Sequence, residues 1–345
     1  MSSTRLSQIG ELSLLEQIRR SFLNKSGRVP VGIGDDAAVL RPRDEYLLVT
    51  TDMMVEGVHF DLRFITAYQL GFKLVSVNVS DIYAMGGKPA YVLLSIAVNG
   101  KTEKTFVDML FDGVKDAVNL YDMYLVGGDL SSTDKDMFLS ATIIGSARKF
   151  VQRSGAKAGD RIYVTGNLGD SSCGLELLKK MKKSVSFTVR KTKFEGGRAF
   201  KIPGLDLSFN ETASLIRRHL LPEARNPKHF VRAATSMIDL SDGLLIDLSR
   251  LCNESKVGAR IYEENIPLSP GLKRAASSLG VSPFKFALSG GEDYELLFTA
   301  QPEKKVSAIY LGDITKTKRV IVGTGGNKKT FSAEGYQHFV RKRVL

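Results

Sequence analysis

Apolar positions recur at helical spacing near the start of the chain. Leu14, Leu15, Ile18 and Phe22 line one side of a segment over residues 10–23. Two strands follow at 37–40 and 46–51, joined by the turn Arg41-Pro42-Arg43-Asp44, which puts Asp52 at a strand end. Thr66 is placed to cap a long helix carrying Leu70, Leu74, Val77 and Asp81. That helix is expected to stop at Gly86-Gly87, with Pro89 behind it. Residues 90–98 are apolar and β-prone. A helix at 105–120 leads to a short strand at 124–126, then the turn Gly127-Gly128-Asp129, then a strand at 137–147.

Past this point the pattern changes. Lys, Arg, Gly and Ser replace the apolar run over 148–159, which marks a boundary between domains 1–148 and 149–345. A strand at 161–165, a turn Gly166-Asn167-Leu168-Gly169-Asp170 and a helix at 171–180 open the second domain. Residues 181–205 are basic and lack periodicity, and read as a mobile surface insertion. Helical spacing returns at 212–219 and again at 244–252, behind Ser241-Asp242-Gly243. Ser289-Gly290-Gly291-Glu292-Asp293-Tyr294 precedes a strand at 295–299. The alternation of helix and strand patterns points to an α/β (α+β) fold with mixed sheets flanked by helices.

Composition narrows the class. A chain of 345 residues is long enough for about two domains. Cys173 and Cys252 are the only cysteines, so there is no disulfide framework, and a reducing cytoplasm fits. No stretch approaches the roughly 20 apolar residues of a membrane span, and the start does not resemble a signal peptide. The net charge of +12 marks either an anion-binding surface or an ordinary basic one. Its densest part runs from Lys179 to Lys201.

Against that basic background, carboxylates gather in short Gly- and hydroxyl-flanked motifs: Asp35 and Asp36, Asp52, Asp81, Asp129, Asp239 and Asp242. Hard divalent cations take oxygen ligands, and Mg²⁺ is commonly shared with substrate phosphates. Metal-assisted phosphate chemistry is therefore the first expectation. Each motif alone also reads as a turn or a helix cap. Asp81 is the exception, because a charge inside an apolar helical pattern is costly without a partner. There is no P-loop and no protein-kinase motif set, and His59, His219, His229 and His338 lack zinc-ligand spacing. Gly166-Asn167-Leu168-Gly169 hints at a phosphate at a helix start but also fits a plain turn.

Taken in order, these motifs resemble the thiamine-monophosphate kinase family, of the aminoimidazole ribonucleotide synthetase and selenophosphate synthetase superfamily. The resemblance runs from Gly10-Glu11-Leu12-Ser13-Leu14 through Gly34-Asp35-Asp36-Ala37, Thr50-Thr51-Asp52-Met53 and Gly57-Val58-His59-Phe60. It continues in Asn78-Val79-Ser80-Asp81, Gly127-Gly128-Asp129, Arg153-Ser154-Gly155-Ala156 and Ile238-Asp239-Leu240-Ser241-Asp242-Gly243. Gly290-Gly291-Glu292-Asp293-Tyr294-Glu295 and Gly335-Tyr336-Gln337-His338-Phe339 complete it. The resemblance implies a two-domain fold and transfer of the ATP γ-phosphate to thiamine monophosphate, giving thiamine diphosphate. It implies Mg²⁺, several ions, on Asp36, Thr50, Thr51, Asp52, Asp81, Asp129, Asp239 and Asp242, with Asp52, Asp81, Asp129 and Asp242 central to catalysis. ATP would meet Tyr121, Gly128, Asp129, Arg153 and Ser241. Thiamine monophosphate would meet His59, Glu292 and Tyr336. A homodimer through the N-terminal halves is implied as well.

Two departures stand out. Residues 181–205 are longer and more basic than the family pattern, and Gln337 replaces an Asp. The alternatives are another ATP-dependent enzyme of the superfamily or, from a different class, a basic nucleic-acid-binding protein. The second leaves the motif aspartates without a role, since carboxylates repel phosphates. A selenophosphate synthetase would need a reactive Cys near the start, and none precedes Cys173.

Overall fold

The structure is a computed structural model that describes residues 17, 18, 20–22, 46–189 and 201–336. The expected strand at 37–40, Asp35, Asp36 and Gln337 lie outside the described residues. The chain divides into two compact units. One takes the described residues up to Phe150 together with 182–189. The other takes Val151–Met181 and the described residues from 201 onward.

In the first unit, four strands form a mixed sheet in the order β1-β4-β2-β3. These are β1 (Tyr46–Val55), β2 (Lys88–Val98), β3 (Tyr124–Ser132) and β4 (Phe138–Ala147). Helix α1 (Ala67–Ala84) begins as its sequence predicts. Thr66 accepts from the Gln69 amide, and the Gln69 side chain accepts from the Thr66 amide. Of the helix's 18 residues, all but Asp81 are buried. A helix buried all round must be covered on every side. The sheet covers one side of α1, and helix α2 (Lys104–Leu120) covers another with Val107, Leu110, Val114 and Ala117. The two helices cross backbone to backbone. A Cβ on Gly71 would lie 1.9 Å from the Leu110 oxygen, and one on Gly113 would lie 1.9 Å from the Tyr68 oxygen. Only glycine fits at that crossing.

Residues 182–189 complete the cover. Val185 and Phe187 are buried. Gln69 Nε2 donates to the Val185 carbonyl at 2.7 Å, and the Val189 amide donates to the Tyr68 hydroxyl at 3.3 Å. The expectation of a mobile insertion at 181–205 is therefore corrected for these residues. The helix beneath leaves apolar surface and a buried amide, and an aperiodic segment satisfies both.

Among the described residues, no helix packs on the opposite face of the first sheet. Leu47, Val49 and Met53 are 57%, 66% and 54% exposed there. Alongside lie Tyr91 and Val126, with Leu93, Tyr124 and Ile144 packed against them.

The second unit holds a seven-stranded mixed sheet in the order β11-β10-β7-β9-β5-β8-β6. Its strands are β5 (Arg161–Val164), β6 (Ala234–Asp239), β7 (Gly258–Tyr262), β8 (Leu296–Ala300), β9 (Ile309–Thr315), β10 (Arg319–Val322) and β11 (Lys328–Thr330). Helices α3 (Asp170–Met181), α4 (Phe209–Leu220), α5 (Leu244–Ser255), α6 (Pro270–Ser278) and α7 (Pro283–Ser289) accompany it. The core joins Ile162, Val164, Ala259, Ile261, Leu297 and Leu311 of the sheet to Leu244, Leu245, Leu248 and Leu251 of α5. The pairing of β6 with β8 sets Asp239 opposite Leu296. The loop leaving β6 and the loop entering β8 therefore run side by side. Among the described residues, no helix is long and apolar enough to cross a membrane.

Candidate active site

The expected site residues fall into separate groups, and strand geometry explains how. Strand β1 does not end before Asp52, as its apolar pattern suggested. It continues to Val55, with Asp52 opposite Ala141 of β4. Side chains alternate along a strand, so Thr50 and Asp52 face α1 while Thr51 faces away. The contacts agree. Thr50 Oγ1 donates to Asp81 Oδ2 at 2.7 Å, and the Asp52 amide donates to Asn78 Oδ1 at 2.8 Å. Thr51 instead bonds the Ala141 carbonyl and Thr142 of β4. The first group is thus Thr50, Asp52 and Asp81, an oxygen-only set at the junction of β1 and α1.

Asp129 lies elsewhere. Gly127-Gly128-Asp129 is not a turn but part of β3, which runs on to Ser132. Pairing with β2 continues through the motif because Gly128 admits a close approach. A Cβ there would sit 1.9 Å from the Leu94 oxygen. Asp129 pairs with Ser95, Ser95 with Ser140, and Ser140 with Met53. Cross-strand partners share a face, so Asp129 is on the face away from α1. It is also three strand spacings from β1, roughly 14 Å at the usual separation. Among the described residues, no cluster of three or more His, Cys, Asp or Glu side chains forms a ready metal cage.

His59 follows β1 in a short turn. Its Nδ1 accepts from the Val55 amide at 3.1 Å, which places the proton of the neutral ring on Nε2. Tyr121, at the end of α2, is buried. Its hydroxyl meets Ser76 of α1, and its ring stands edge-on to Tyr83.

In the second unit three expected elements converge. The Glu292 amide donates to the Ser241 carbonyl at 2.8 Å, and the Tyr294 amide donates to the Leu240 carbonyl at 2.9 Å. The Tyr336 amide donates to the Asp242 carbonyl at 3.0 Å. Asp239, Ser241, Asp242, Glu292 and Tyr336 are therefore collected around one loop pair, with Asp239 buried at the strand end. Asp242 does not cap α5. Asp247 does so by reaching back, accepting from the Asp242 and Gly243 amides at 3.0 and 3.1 Å. Burial pushes the Asp247 carboxyl up to about 6. Arg250 Nη1 donates to both Asp242 (2.6 Å) and Asp247 (2.8 Å). Arg153 is exposed on the segment that enters this unit, and its carbonyl accepts from Ser255.

Beneath Glu292 lies a charged network that sequence reasoning missed. Glu295 is buried and binds both Arg218 of α4 and Arg225, with Thr165 Oγ1 donating to it as well. Burial alone would raise its carboxyl, yet the two guanidiniums hold it below the usual range. Asp293 accepts from the Gly169 and Ser171 amides at 2.6 and 3.1 Å. It thereby fills the helix start where the Gly166–Gly169 turn suggested a phosphate. Burial pushes Asp293 up to about 7, against the pull of Arg218. The signal for this network was in the sequence, as Arg-Arg-His at 217–219 beside three acids at 292, 293 and 295, but it lacked periodicity to connect them. Neither cysteine joins the chemistry. Burial drives the Cys173 and Cys252 thiols up to about 12 and 11.

The chain is similar in sequence and fold to known proteins. Residues 34–147 match the AIR synthase related protein N-terminal domain, and 157–311 match the corresponding C-terminal domain. The chain is 37% identical to thiamine-monophosphate kinase of Aquifex aeolicus over 97% of its own length and 100% of the relative. It is 36% identical to that of Escherichia coli K12 over 87% and 85% of the two chains. Its fold superposes on that of AaThiL complexed with AMPPCP and TMP at a TM-score of 0.73, with 34% identity over 98% of this chain and 100% of that one. With both domains matched in order and nearly the whole length aligned, the chain belongs to the thiamine-monophosphate kinase family.

Proposed function

We propose that this chain transfers the γ-phosphate of ATP directly to thiamine monophosphate, producing thiamine diphosphate and ADP with the help of Mg²⁺. The observation that carries the reading is the convergence of the Asp239–Asp242 loop, Glu292 and Tyr336, which sets acidic, hydrogen-bonding and aromatic groups side by side. The relative solved with AMPPCP and TMP supports the pair of substrates.

The donor chemistry fits Mg²⁺. Thr50, Asp52 and Asp81 offer only oxygen, on neighbouring elements. Asp36, Asp239 and Asp242 are further proposed Mg²⁺ ligands by family resemblance, and Asp129, set on the other edge and face of its sheet, would serve a separate ion. Thr51, whose hydroxyl faces β4, would offer its main-chain oxygen instead. Bound Mg²⁺ would neutralise phosphate charge during in-line transfer. The acceptor is itself an anionic phosphate, so no strong general base is called for. Gly128, Arg153, Ser241 and Tyr121 would address ATP. His59, Glu292 and Tyr336 would address thiamine monophosphate.

We extend the reading to assembly and location. The sheet face with exposed Leu47, Val49 and Met53 would be covered by a second copy, giving a homodimer through the first units. The buried reduced cysteines suit a cytoplasmic protein.

The test is direct. Purified protein with ATP and Mg²⁺ should form thiamine diphosphate from thiamine monophosphate and act poorly on free thiamine. Faster phosphorylation of free thiamine would sink the proposal.

A further inference from the structure

The backbone around Glu292 is unusual. Glu292 and Tyr294 both sit at positive φ, +68° and +49°, a conformation L-residues adopt at some cost. Their amides bond the carbonyls of Ser241 and Leu240, and the Leu240 amide bonds the Glu295 carbonyl at 2.8 Å. The main chain of this loop is thereby fixed. A Glu side chain has three further torsions, and a fixed main chain does not set them.

One contact does. His219 Nδ1 lies 3.1 Å from Glu292 Oε2. The histidine is itself buried, in the last turn of α4, and Ser171 Oγ is 3.2 Å from the same nitrogen. An ionised carboxylate can only accept, so Nδ1 carries the proton and donates to Glu292, with Ser171 alongside. The helix that holds His219 is anchored next door, where Arg218 donates to the Asp293 carbonyl at 2.8 Å and pairs with Glu295. Helix α4 thus grips the loop through two consecutive residues, Arg218 on its main chain and His219 on the Glu292 side chain.

We propose that His219 is a positioning residue for substrate recognition: its Nδ1–H orients the Glu292 carboxylate so that its remaining acceptor directions meet the amino group of the substrate's pyrimidine ring. This rests on the reading of Glu292 as a contact to thiamine monophosphate. It adds a residue that does not touch the substrate and whose tautomer matters.

The test compares two amides of similar polarity. The amide nitrogen of Asn can occupy the place of Nδ1, whereas that of Gln reaches toward Nε2. His219→Asn should keep the KM for thiamine monophosphate near wild type. His219→Gln should raise it on the order of tenfold, with kcat and the KM for ATP moving by less than about threefold. In the Glu292→Gln background the two His219 variants should no longer differ. Equal KM values for His219→Asn and His219→Gln, with Glu292→Gln impaired, would overturn the inference alone. An unimpaired Glu292→Gln would overturn both the inference and the reading beneath it. A measurement on the unmutated protein stands beside these. In ¹⁵N-histidine-labelled protein, the resonance absent from His219→Asn should shift when thiamine monophosphate is added, and a resonance that stays in place would overturn the proposal even if the Gln variant failed to fold.

Discussion

The β1–α1 junction and the 290–295 loop are both acidic, and different contacts hold them in place. Thr50, through its hydroxyl, bonds Asp81, and Asn78, through its amide oxygen, accepts from the Asp52 backbone. Around Glu292, Asp293 and Glu295 stand two arginines and a histidine. The difference follows from what each region would bind. A cation site gathers oxygens from neighbouring elements around the metal. A site that reads the edge of an organic ring must hold its acceptors in one geometry beforehand, and buried charge pairs do that. Asp242 sits between the two designs, bonded to Arg250 yet proposed to face Mg²⁺.

The largest expected effect comes from breaking the cationic side of the loop. Arg218→Met leaves Glu295 buried with half its countercharge, and should cost about 3–5 kcal/mol, read as a lowered thermal unfolding transition. An unchanged transition would mean that Arg225 alone suffices. On the other side, Asp52→Asn keeps shape and removes charge. It should lower kcat on the order of 10²-fold while leaving the metal-free melt unchanged or slightly higher, because like charges there repel. Near-normal turnover at limiting Mg²⁺ would remove Asp52 from the metal site.

A smaller effect should follow Thr50→Val, which deletes the hydroxyl bonded to Asp81. Loss of one charge-assisted hydrogen bond predicts roughly tenfold in kcat, with an increased Mg²⁺ requirement as the companion reading. The subtlest effect is in pH. Asp293 is pushed up to about 7 by burial, above its ordinary value of 3.8. The folded protein then holds a proton that the unfolded chain has released. Its contribution to stability is fully present below the ordinary carboxylate range and is lost as pH rises through about 7. Relative to wild type, Asp293→Asn should therefore gain melting temperature between about pH 4 and pH 7. A pH-independent difference would show that Arg218 keeps Asp293 ionised.

Much of this was legible in the sequence, for local reasons. Thr66 announced the start of α1, and Gly86-Gly87 its end, because caps are written within a few residues. The family motifs marked Glu292 and Tyr336. What stayed hidden was set by partners far away in sequence. Asp52 lies within a strand because β4 pairs with it throughout, and Gly127-Gly128-Asp129 stays extended because Leu94 lies against Gly128. β10 has four residues, Arg319–Val322, too few for alternation to stand out. The Arg218–Glu295 pair joins positions 77 apart, beyond any window of periodicity.

The docking of residues 182–189 on α1 bears on the order of events during synthesis. Domains tend to fold as units, N-terminal first, as the chain emerges. Here the first unit leaves the ribosome before Val185 and Phe187, which cover part of its central helix, exist. Until strand β5 and helix α3 of the second unit have been made, Gln69 lacks the carbonyl it later bonds. A fragment ending at Phe150 should accordingly be more prone to aggregate than the full chain, and the completion of the first unit is timed by the beginning of the second.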